Sequence, residues 1–212
     1  MEITWLGHSC FRIKGRNATI VTDPYDASLG AALGPLSADI VIASKQGPHH
    51  SYTDAAKGAR KVLSGPGEYE ISGVLITGIR TFQDEEKGVV RGKNTSFVID
   101  MEDLRLCYLG QIGHVPTSDQ EATIGTVDVL LVPVGGKDSL NAKQAAETIR
   151  LIEPRIVLPM HYKVPQLKSQ LDPLEPFLKE MGLAAQVPQP KLQVTATSLP
   201  PQMQIVVLEI GK

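Results

Sequence analysis

Two β-sheets packed face to face and flanked by a few helices, an α/β sandwich, is the fold this sequence predicts. Three observations carry that expectation: short strand-like runs fill the first half, a strand–helix–strand pattern spans residues 127–160, and helices are few and late. The 212 residues, 42% hydrophobic and 21% charged, suit one domain covering residues 1–212. A chain of this length buries roughly 70% of the surface its unfolded form exposes, so its core needs neither a disulfide nor a structural metal.

The first strand-like runs are residues 3–6, 10–13, 18–22 and 40–43, punctuated by Gly7, Gly15 and an Asp23-Pro24 turn, which reads as a meander. Further runs follow at 61–63, 74–79, 96–99 and 104–109, with Gly65-Pro66-Gly67 and Gly73 supplying turns between them. Asn141 stands before AKQAAETIRLI with Gln144 three residues on, a capping box, and Ala145, Ile149 and Ile152 form an apolar stripe that ends before Pro154. Residues 127–134 and 156–160 on either side are near-continuous apolar runs, the pattern of buried parallel strands joined by a crossover helix. A helix over 173–181 and a closing strand over 203–210 complete the expected elements.

Charge and cysteine content narrow the function classes. With 21 basic and 23 acidic residues there is no general field to draw the chain onto nucleic acid or an anionic membrane. Cys10 and Cys107 lie far apart inside apolar runs, the pattern of two reduced core thiols, although sequence alone leaves a pairing open. The amino terminus has no charged-then-apolar leader and no run approaches the roughly 18 apolar residues of a spanning helix, so a cytoplasmic protein is expected.

All five histidines, His8, His49, His50, His114 and His161, fall just after an expected strand or in the loop behind it. A lone histidine is more often a hydrogen-bonded structural residue than a ligand, but loops held at sheet ends are where binding groups gather. The pattern therefore points to a pocket shared by several of them. Asp23, between a strand and Pro24, reads either as a turn residue or as a group that orients a histidine or holds a cation.

The strings WLGHSCF, TDP, PGEYEISGV, RGKNTSFVI, CYLGQIGH, VDVLLVPVGG and IVLPMHYK occur in order from Met1 to about Lys163. Together they resemble the metallo-β-lactamase superfamily, and within it the branch of Zn-dependent hydrolases that includes ascorbate-phosphate lactonase-like proteins. The resemblance implies an αββα four-layer sandwich with its site at one edge between the sheets. It also implies two metal ions that activate water against an ester, lactone or phosphodiester.

This chain departs from the branch at the ligands. Where the branch carries HxHxDH, the positions read Lys45, Gly47, His49 and His50; the next expected histidine is Gln83, and the expected bridging aspartate is Gln111. By resemblance the first ion's three ligands become Lys, Gly and Gln, a set that should not hold a dication. Lys45 then stands either as a surrogate positive charge or as a solvated loop residue. The second ion's positions become His49, His50, Gln111 and His161, which leaves three imidazoles, the ligand count of a single catalytic zinc. Against that, losing aspartates at 49 and 111 is what a metal-free site needs, because unpaired buried carboxylates are costly.

The primary expectation is a metal-free, hydrolase-like protein that binds a small molecule in the old cleft, with His8, Gln83 and Gln111 lining it. The alternative is a hydrolase with one Zn or Mn ion on His49, His50 and His161, with Asp23, His114 and Lys45 as the catalytic or proton-handling groups. Nucleic-acid binding is a weaker alternative, and a homo-oligomer is left open. No GxSxG elbow or phosphate-binding P-loop occurs. Ser9 and Cys10 beside His8 do not make a nucleophile pair, because neighbouring strand residues face opposite ways.

Overall fold

The computed structural model describes residues 1–211. Strands β1 (Glu2–Gly7), β2 (Cys10–Lys14) and β3 (Thr19–Thr22) form the expected antiparallel meander. After the short β4 (Leu36–Ser37), β5 (Ile40–Ile42) joins β3 in parallel; β6 (Ala56–Lys57) pairs with β4, and β7 (Lys61–Leu63) pairs with β5. Antiparallel β8 (Gly67–Ile71), β9 (Val74–Phe82), β10 (Lys93–Met101) and β11 (Leu104–Tyr108) then begin a second sheet. Helix α1 (Ser118–Ile124) leads to β12 (Val129–Pro133), α2 (Ala142–Ile152) crosses to the parallel β13 (Ile156–Met160), and α3 (Glu175–Glu180) follows. Two-residue strands β14 (Leu192–Gln193) and β15 (Gln204–Ile205) close one edge of each sheet. The orders are β14-β1-β2-β3-β5-β7 and β15-β13-β12-β11-β10-β9-β8.

One apolar core joins both sheets, with Trp5 and Phe11 from the first and Phe97 and Tyr108 from the second fully buried. The strand–helix–strand expectation is met: β12 and β13 are buried along their whole length, and α2 carries the Asn141–Gln144 capping box with Ala145, Ile149 and Ile152 inward. Cys10 and Cys107 are free and buried, and burial pushes the Cys107 thiol up to about 12, far from a nucleophile's range. Among the described residues no helix is long and apolar enough to cross a membrane.

Four of the elements differ from the sequence reading as follows. The Gly67–Ile71 segment, which lies between the expected turns at Gly65-Pro66-Gly67 and Gly73, is an additional strand; Glu68 and Glu70 are exposed on this sheet edge, so the run lacks the continuous apolar signature. Helix α1 is additional, although its Thr117–Gln120 capping box is present in the sequence. The closing strand over 203–210 reduces to β15, because the tail changes sheets: Gln204 pairs beside Ile156, while Ile210 bridges to Trp5. The helix over 173–181 shortens to Glu175–Glu180.

Candidate metal centre

His8, Asp23, Gln111 and His161 each lie one to three residues beyond the carboxyl end of β1, β3, β11 and β13, while Ser44 and the His49–His50 loop follow β5. Strands β3 and β5 are parallel, as are β11, β12 and β13, so these ends open on the same crevice, where α/β sheets place their ligands. His8, Asp23 and His161 all have positive φ, at 53°, 36° and 54°. A non-glycine residue held there costs on the order of 1–3 kcal/mol, so the surroundings must over-determine each turn. They do: the His8 carbonyl accepts both the Trp5 Nε1–H and the His161 backbone N–H at 3.0 Å, and the Asp23 N–H donates to Ile42 at 2.7 Å.

This scaffold brings His8, His50 and His161 together. One ring nitrogen from each lies within 4.8 Å of the other two, and all three side chains are buried. His50 Nδ1 donates to Asp23 Oδ2 at 2.7 Å, and Asp23 is itself fixed by the Ser44 N–H at 2.6 Å and the Ser44 hydroxyl at 2.5 Å. His161 Nδ1 lies 3.1 Å from Ser139 Oγ; that hydroxyl gives its own proton to the Gly136 carbonyl, so the histidine is the donor. Both rings therefore carry a lone pair on Nε2. His8 Nδ1 and Gln111 Oε1 are buried and have no partner within the protein. The Gln111 amide nitrogen lies 3.5 Å from His161 Nε2, and the two unsatisfied buried polar atoms beside these rings are the mark of a place built for a ligand.

Burial keeps the His8 and His161 rings neutral. Burial first, and then the charge of His161 and His50, holds the His8 imidazole well below its ordinary value; burial likewise pulls His161 down, against the opposing pull of Asp138. In the metal-free chain both side chains bind a proton near pH 6.5 when unfolded but stay neutral when folded. Stability is therefore complete above that pH and falls as pH drops below it, by up to about 1.4 kcal/mol per pH unit for each ring. Urea unfolding of chelator-treated protein between about pH 7 and pH 5 is expected to show this decline. A flat profile would mean that the rings are solvated.

The remaining expected site residues fall outside this cluster. His49 does not converge with His50 and His161: its Nε2 lies 3.0 Å from the Ser28 hydroxyl, on the turn at Ala27–Leu29, and His8 occupies the third place instead. His114 is corrected from a proton-handling group to a structural one, since Nε2 accepts the Phe82 N–H at 3.2 Å and Nδ1 reaches the Val115 carbonyl at 2.8 Å. Neither nitrogen is left for chemistry. Lys45 is half-buried and donates to Gln83 Oε1 at 2.6 Å, and burial lowers its pKa against the pull of Asp138 and Asp23. An ammonium and an amide thus fill two of the three positions that the resemblance assigns to the first ion. Asp23 is a positioning residue, not a base, with both oxygens occupied. A cavity of about 500 Å³ opens onto the cluster, lined by the three histidines, Gln111, Lys45 and Asp138 among others.

Comparison with known proteins matches this architecture. Residues 2–161 fit the family model described as the beta-lactamase superfamily domain. A UPF0173 protein of Pyrococcus furiosus is 30% identical over 85% of this chain and 90% of its own length. A UPF0173 metal-dependent hydrolase of Methanopyrus kandleri is 23% identical over 88% and 95%. The crystal structure of a candidate Zn-dependent hydrolase of the metallo-β-lactamase superfamily from Thermotoga maritima superposes with a TM-score of 0.80 at 37% identity, covering 98% of this chain and 97% of that one. On fold, motif order and sequence together, the chain belongs to the metallo-β-lactamase superfamily.

Proposed function

We propose that the chain is a hydrolase of an ester, lactone or phosphodiester that works with one metal ion, Zn or Mn, held by His8, His50 and His161 with Gln111 as a neutral neighbour. The observation that carries this is the convergence of three buried imidazoles, two of them with their outer nitrogens fixed by Asp23 and Ser139. Such outer partners set the tautomer and the ring orientation that metal binding requires. The relatives named as metal-dependent hydrolases point the same way. The metal-free expectation counted lost acidic ligands, and the single-ion alternative took His49 as the third imidazole; with His8 in that place, the single-ion alternative is the better supported.

When bound, the ion supplies Lewis acidity, acidifying water and polarising a carbonyl or phosphoryl oxygen. The protein's own part is orientation and charge. Asp23 holds His50, and Ser139 holds His161. The Lys45 ammonium, having given one N–H to Gln83, keeps donors for negative charge that develops on the substrate.

Elemental analysis of untagged protein purified without chelator is expected to find about one equivalent of zinc or manganese per chain. His161→Ala should take it well below that level, and His49→Ala should leave it unchanged. Metal well under stoichiometric in the native chain, even after incubation with zinc, would restore the metal-free reading.

A further inference from the structure

Asn94, the second residue of β10, is buried and stands outside the histidine cluster, yet its side chain ties together elements that carry it. Its Oδ1 accepts the Gln111 backbone N–H at 2.9 Å, while Nδ2 donates to the Thr81 hydroxyl at 2.7 Å and to the Leu109 carbonyl at 2.9 Å. Because β10 runs antiparallel to β11, its first residues lie beside the turn that leaves β11. Both amide protons and the carbonyl oxygen are thus engaged, which fixes the rotamer and the sense of the amide.

The junction reaches the first sheet as well. The Thr95 backbone N–H donates to the Ser44 carbonyl at 2.8 Å, and Ser44 is the residue whose own N–H and hydroxyl hold Asp23 against His50. Gly110 lies between the two: its φ is 62°, and a Cβ there would collide with the Ser44 Cβ and sit 2.8 Å from Asn94 Oδ1. The ends of β5 and β11 and the start of β10 therefore meet with no spare volume, so a shift of one is passed to the others. One residue further on, the Gln111 side chain has only its 3.5 Å approach to His161 Nε2 among the described residues, and its Oε1 has no partner. Its position is therefore set from its main chain, whose N–H Asn94 holds.

We propose that Asn94 is a positioning residue of the metal centre: it fixes Gln111 beside His161 and, with the neighbouring Thr95 bond to Ser44, keeps that half of the site in register with the Asp23–His50 half from the other sheet. It touches neither the ion nor a substrate and acts through Gln111. Without it the Gln111 N–H is left unanswered in the interior and the amide is free to swing away from His161. Partners one step behind the ligands change metal affinity by about 10–100-fold. The inference rests on the single-ion reading, since the ion is what Gln111 is positioned for.

The test is a double-mutant cycle on zinc affinity, measured on the full chain against a competing chelator. Gln111→Ala and Asn94→Ala are each expected to weaken zinc by about tenfold, and Asn94→Ala should cost no more than about twofold once Gln111 is already alanine. Losses that simply multiply, or wild-type affinity in either single variant, overturn the inference. Thr81→Val removes another partner of the Asn94 amide but spares the Gln111 bond, so it should lower Tm and keep zinc affinity within about twofold. A loss in Thr81→Val equal to that in Asn94→Ala would show general loosening and overturn it too. Should Asn94→Ala fail to fold, zinc titration of the native chain followed by NMR decides. The Asn94 side-chain amide and the Gln111 backbone amide should then move in step with His161, and signals that zinc leaves in place overturn the inference. A native chain that takes up no zinc removes the hydrolase reading and this inference with it, whereas multiplying losses in a chain that binds zinc remove this inference alone.

Discussion

Asp23→Ala is expected to lower the stability of the metal-free chain by about 3–5 kcal/mol and to weaken metal binding by about 10–100-fold. The carboxylate is fully buried and accepts three hydrogen bonds, from the Ser44 N–H, the Ser44 hydroxyl and His50 Nδ1. Removing it strands a backbone donor, a hydroxyl and a ring N–H in the interior, each at a cost of about 1–3 kcal/mol. It also frees the His50 ring to rotate and to change tautomer, so the metal loses a fixed ligand. Asp23→Asn separates shape from charge: its side-chain carbonyl can still accept from Ser44, but its NH2 opposes the His50 N–H. An intermediate loss of stability with nearly the full loss of metal is the expected pattern. Chemical denaturation and zinc titration measure the two effects, and wild-type zinc affinity in Asp23→Ala would exclude the orienting role.

Gly135→Ala is expected to cost about 3 kcal/mol, a fall in Tm of about 6–12 °C, and to displace His161. A Cβ at this position would sit 2.2 Å from the His161 carbonyl oxygen and 2.8 Å from the Tyr162 Cα. Both are backbone atoms that no rotamer change can move aside. The loop after β12 thus approaches the chain after β13 as closely as a hydrogen atom allows, and His161 stands on the other side of that contact. Gly34→Ala, where nothing lies within 4 Å, serves as the control and is expected to change stability by no more than about 0.5 kcal/mol. A Gly135→Ala protein with unchanged Tm and zinc content would show that the His161 turn is not set by this contact.

The sheet framework was legible because glycine and proline punctuate it and because buried parallel strands need continuous apolar runs, as at 129–133 and 156–160. The edge strand at 67–71 was not legible, since its exposed Glu68 and Glu70 carry no hydrophobic signal. The crevice was visible as histidines gathered at strand ends, and the resemblance named its members. Which histidines converge was not visible. His49 and His50 are adjacent and chemically identical, and only the loop conformation sets His50 on Asp23 in the cluster and His49 beside the Ser28 hydroxyl at the cavity wall. His114 also falls in the loop behind a strand, but its nitrogens are taken by two main-chain groups, the neighbouring Val115 carbonyl and the Phe82 N–H, and only the folded chain brings the second near.

The left-handed backbone at His8, Asp23 and His161 bears on how this chain can drift over generations. At each of the three, glycine would relax the main chain and remove a functional side chain in one step, so selection for stability and selection for chemistry pull in opposite directions. A lineage that had given up its reaction would gain by letting these positions go. His8, Asp23 and His161 each carry a side chain where glycine would be the less strained residue.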